Sequence, residues 1–134
     1  MSRNNEKTAP PFSERLSEVC DLLEGAQKDY TWNRDMIGIM DKLTQDYLHS
    51  LELDDLDYAG RAKIATKLAL CRIERREHKD TVMILEPLVQ YLDSEKGKQL
   101  FNLLREVLGR TRKTEERMKN RVYYPRVMER KPIR

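Results

Sequence analysis

Apolar side chains recur along this chain at alternating steps of three and four residues, the spacing that keeps them on one face of an α-helix. The first such row runs Phe12, Leu16, Val19, Leu23, Ala26, Tyr30, Asn33, Ile37, Met40, Thr44, Tyr47 and Leu51, and only Asn33 and Thr44 in it are polar. A row this long and this regular predicts a helix over about 13–52. Two collinear helices broken near Gly25 or Thr31-Trp32 would give the same row, but the unbroken phase favours one. Ser13, following Pro10 and Pro11, supplies an N-cap. The aspartates of "ELDDLD", residues 52–57, then mark a turn and cap the helix that follows.

A second row, Ile64, Leu68, Cys71, Arg75, His78, Val82, Leu85, Val89 and Leu92, predicts a helix over about 58–92. Pro87 falls inside it, removes an amide donor and crowds the preceding turn, so a kink or break is expected between Val82 and Glu86. After a cap at Asp93 or Ser94, a third row of Leu100, Leu104, Val107, Thr111, Thr114 and Met118 predicts a helix over 95–121, widened early by Leu103 and Leu108. "YYP" ends it. The fold class is all-α: an antiparallel three-helix bundle over 13–122, dominated by a long coiled-coil-like hairpin. A polar, disordered tail is expected over 1–12 and a basic extended tail over 123–134.

Composition narrows the setting. A chain of 134 residues makes one domain, and 37% charged residues with only five glycines suits long helices. No run approaches 18 apolar residues, and "MSRNNEKTAPPF" carries no apolar targeting core. A cytoplasmic protein with no membrane contact is therefore expected, with Cys20 and Cys71 reduced inside their helices.

Charge is unevenly distributed. Residues 1–60 hold 6 basic and 13 acidic side chains, 61–80 hold 7 and 3, and 110–134 hold 10 and 3. In a hairpin the acidic first helix lies beside the basic second one. Lys63, Lys67, Arg72, Arg75, Arg76 and Lys79 can then pair with Asp29, Asp35, Asp41 and Asp46. The same pairing brings Asn33 to the level of Arg75 and His78, a buried polar layer that would set the register of an otherwise apolar seam.

Chemistry-bearing motifs are few. Two histidines leave no convergent ligand set, so no metal or cofactor is expected. No cysteine or serine lies in a glycine elbow, and none of the 23 carboxylates forms a distinctive pair. "RIERREH" places five residues between Arg72 and His78 and resembles the arginine, spacer and histidine of the HEPN ribonucleases, small helical proteins that usually dimerise. That resemblance implies a phosphate-binding role for Arg72 and action on the ribose 2′-hydroxyl for His78. It covers seven residues, and a non-enzymatic binding protein remains the main expectation.

The basic end of the chain stands without an acidic partner block. Arg110, Lys113, Arg117 and Arg121 share one helix face, and Tyr123, Tyr124 and Arg126 follow. Cations in a stripe suit a phosphate backbone, and tyrosines between arginines suit unpaired bases. DNA or RNA is the expected partner of this arm. The alternative is a protein partner or homo-oligomer, acting through the long acidic helix, whose Leu22, Trp32, Met36, Ile39 and Leu48 lie off the main row.

Overall fold

The computed structural model describes residues 9–127, and these form three helices. The protein is all-α: α1 spans Phe12–Leu53, α2 Tyr58–Asp93 and α3 Glu95–Lys119. No helix among the described residues is long and apolar enough to cross a membrane.

Helix α1 is continuous for 42 residues, through both Gly25 and Gly38, and at 1.5 Å per residue it is about 63 Å long. Its first residue is Phe12, with Pro11 at the cap position. Ser13 is therefore not the N-cap that its place after the prolines suggested; it lies inside the first turn and its hydroxyl is used elsewhere. Asp57 does cap α2, accepting from the Gly60 amide at 2.7 Å. Helix α2 runs unbroken past Pro87, so the expected break is absent. The carbonyl that loses its amide partner there belongs to Met83, and both Met83 and Pro87 are exposed, so water can satisfy it.

The α1–α2 hairpin closes on the paired rows. Thr44 meets Cys71 at 3.6 Å, Asn33 meets His78 at 2.7 Å, and Gln27 reaches Asp93 at 3.4 Å. Ala26, Met40, Cys71, Val89 and Leu92 are buried between the two helices. Every other member of the α2 row is buried or half-buried.

Helix α3 departs from the expected topology. It does not return along α2. Ser13 near the start of α1 bonds to Glu115 near the end of α3. Leu23 and Gln27 face Lys98, Phe101 and Asn102 across a cleft of about 320 Å³. Helix α3 therefore runs antiparallel to α1 and continues in the direction of α2, so the three helices form a long two-layer rod. Its return arm is jointed at Ser94.

The joint explains the direction. Ser94 is the single non-helical residue between the helices, with φ −70° and ψ 160°, and its side chain accepts from the Gly97 amide at 3.1 Å. One extended residue displaces the next helix sideways without the length needed for a reversal. A Cβ on Gly97 would stand 1.9 Å from the Tyr91 carbonyl oxygen and 2.7 Å from the Leu92 Cα, so only glycine permits this approach.

The seam of α3 is correspondingly rotated. Gly97, Phe101, Leu104, Leu108 and Thr111 turn inward, whereas Leu100, Val107 and Met118 of the expected row are 40%, 44% and 53% exposed. The apolar stripe of α3 is wider than one helix can cover, and α1 takes only one edge of it.

Candidate interaction surfaces

Three groups of residues could carry function, and the rod places each differently. The basic group lies on α3. Arg110, Lys113 and Arg117 are exposed on the side of the helix opposite the Phe101–Leu104–Leu108 seam, whereas Arg121, also exposed, lies past the helix end at Lys119 and so does not share the helix face expected for it. Arg110, Lys113 and Arg117 line an open depression of about 910 Å³ together with Thr114, Glu116 and Asn120. Arg110 is bridged to Glu106 at 2.9 Å, both side chains being more than half exposed, and such a pair is readily exchanged for another anion. Tyr123 and Tyr124, 58% and 66% exposed, and Arg126 follow the helix end in non-helical chain. Residues 128–134 of the arm lie outside the described residues.

A carboxylate that could have neutralised this region is turned away from it. Glu115 receives the Ser13 amide at 3.0 Å and also the Ser13 hydroxyl. It thus caps α1 from another helix, placing negative charge at the positive end of the α1 dipole. The Ser13 hydroxyl, then the Ser13 amide, hold its carboxyl below the ordinary value, with Lys119 and Arg112 adding to them and desolvation opposing. Nothing in the spacing of the sequence marks this pair, since its members stand 102 positions apart.

The polar layer forms from two of its three expected members. Asn33 Nδ2 donates to the Asp29 carbonyl at 2.7 Å, which leaves its Oδ1 as acceptor for His78 Nδ1–H, also at 2.7 Å. The Asn33 amide thereby selects the tautomer of a histidine that is 8% exposed. His78 Nε2 is buried with no hydrogen-bond partner among the described residues. The Glu74 carboxylate stands 3.8 Å from it, and the Trp32 ring meets the imidazole edge-on at 5.3 Å. Arg75 does not join the layer. Its side chain slides to the edge of the seam and pairs with Asp41 at 2.5 Å.

That pair is the one α1–α2 salt bridge among the described residues. The expected ladder between acidic α1 and basic α2 is otherwise absent: Arg72, Arg76 and Lys79 are exposed, as are Lys63 and Lys67. The cause is angular, since the cations sit on flanks and backs of α2 rather than facing the α1 acids. Arg72 and His78 are likewise not brought together, one being exposed on a flank and the other buried in the seam. Cys20 and Cys71 are both free and buried, Cys71 packing its sulfur against Met40.

The third group is apolar. Leu22, Trp32 and Ile39 are exposed by 67%, 58% and 51%, and Met36 is half-buried. These four lie on one side of the α1–α2 seam, and Leu48 lies on the other. No protein-family model, curated protein or solved structure matches this chain. Any functional reading therefore rests on these surfaces alone.

Proposed function

We propose that this is a non-enzymatic, nucleic-acid-associated accessory protein that contacts the phosphate backbone through the outer face of α3 and an extended basic arm beyond it. The supporting observation is that Arg110, Lys113 and Arg117 are exposed along one outward face of α3, with Arg121 exposed just past its end, while Glu115, the nearest carboxylate on the inner side, is engaged by Ser13. Cations at this spacing follow successive phosphates, and Tyr123 and Tyr124 offer rings to unpaired bases beside Arg126.

Fluorescence anisotropy of labelled single-stranded DNA, RNA and duplex tests this, using the full chain and a version ending at Asn120 across a salt series. Binding by the full chain is expected to fall with a log-log slope of roughly −0.7 per phosphate on single strands, about −3 for four contacts. Loss of the arm should weaken it strongly. Absence of binding at low salt sinks the reading and leaves protein recognition through α1, which its exposed Leu22, Trp32 and Ile39 support.

A further inference from the structure

One side of the rod exposes more apolar residues than the other. The His78 cluster shows which is which. Trp32 of α1 and Glu74 of α2 both approach His78, so their rows border the same side of the seam, whereas Asp41 and Arg75 meet across the other. In antiparallel helices the residue preceding each seam residue falls on the same side of the pair. On the Trp32 side that rule places Leu22 and Ile39 of α1, 67% and 51% exposed, beside Leu70, Ile84 and Tyr91 of α2, 61%, 75% and 45% exposed.

The apolar side continues past the joint. Val19 extends the row of Ala26, Asn33 and Met40, which α2 buries, but α2 has ended by then and Val19 is 45% exposed. Because α3 is also antiparallel to α1, Leu100, Leu103 and Val107, 40%, 57% and 44% exposed, fall on that same side. The opposite flank carries Arg34, Asp41, Arg72 and Lys79 beside the exposed Leu48 and Met83.

We propose that the apolar side is covered by a second copy of this chain lying antiparallel, so that two layers become four. Two features favour a second copy. First, the ten exposed apolar residues from Val19 to Val107 would each withdraw about 60–80 Å². That is about 600–800 Å² per copy, against about 800 Å² per partner in a standard stable interface. Second, the charges bordering this side are divided between the two ends. Around the hairpin they are Asp29, Asp46, Glu74 and Glu77 with Lys63 and Lys67, a net acidic set; around α3 they are Arg15, Lys96, Arg110 and Arg117 with Glu106, which is bridged to Arg110, a net basic set. An antiparallel pair sets each basic end over the partner's acidic one, and a two-fold axis repeats the match. The inference shares Arg110 and Arg117 with the nucleic-acid reading but does not rest on it.

Sedimentation equilibrium of the full chain at about 1–100 μM, with circular dichroism as the folding control, tests it. A mass of twice 15.9 kDa is expected. Met83 and Ile84 are neighbours, 60% and 75% exposed, on opposite sides of α2. Ile84→Glu should weaken the dimer at least about thirtyfold with helicity retained, and Met83→Glu should not. If Ile84→Glu loses helicity, Ile39→Glu on α1 serves in its place. Arg110→Glu with Arg117→Glu should weaken association at low salt. A monomer across the whole range, an open polymer, or equal effects of Met83→Glu and Ile84→Glu overturns the proposal, and an unchanged affinity of the double charge variant overturns the antiparallel arrangement.

Discussion

Asn33 is the residue on which the hairpin's register turns. It is polar in an apolar row, and its amide is committed at both ends, to the Asp29 carbonyl and to His78. Asn33→Ala leaves the His78 Nδ1–H unpaired in a buried site and should cost about 1–3 kcal/mol in urea unfolding. Glu115 acts at the other end of the rod. A carboxyl whose folded pKa lies below its ordinary 4.5 contributes stability that is complete above that value and is lost as pH falls through the lower, folded one. Amide protection in Ser13–Gln27 of the native protein should therefore persist as pH falls through 4.5 and be lost only at the lower, folded value, while Glu115→Gln should show reduced protection already at pH 7 and no such acid step. Asn33 and His78 could be read from the sequence because each interrupts an apolar phase at a matching level. Arg75 could not be excluded that way, as its long side chain reaches an edge acid from the same backbone position.

Helices are where periodicity was most informative and where it stopped. The phase of α1 and α2 alone marks their inward rows, because each is half of a pair whose contacts repeat every seven residues. Pro87 does not break α2, since an exposed proline in a long packed helix costs one water-accessible carbonyl rather than the helix. The direction of α3 is not written in any row of apolar residues. It follows from a one-residue joint and from the space left by Gly97. Gly97→Ala forces a methyl into the last turn of α2 and should destabilise by about 1–3 kcal/mol. Hydrogen exchange gives the sharper readout: the loss of protection should concentrate in α3 and in Ser13–Gln27, with Asn33–Leu51 retained.

At the scale of the molecule, a two-layer cross-section leaves little interior. Among the described residues no large side chain is completely buried, and Leu108 is the one buried residue of α3 other than Gly97. A compact globule of this length has a radius of gyration of about 14 Å, whereas a rod as long as α1 exceeds it. Small-angle scattering should give a maximum dimension of at least about 63 Å. A value near 45 Å would mean that α1 is not one continuous helix in solution. Charge totals along the chain do not show that the α2 cations face outward, which depends on angles that block sums discard.

Ser13 and Glu115 also fix how the rod meets force. Because α3 lies against the start of α1, residues 9 and 127 sit at the same end of the molecule. A pull on those two points loads the Ser13–Glu115 tie first and alone, then each seam layer in turn back toward the 54–57 turn. The molecule should peel open at low load, one layer at a time, whereas a pull between residue 9 and the turn would shear the α1 seam as a whole. Its mechanical weakness has a direction.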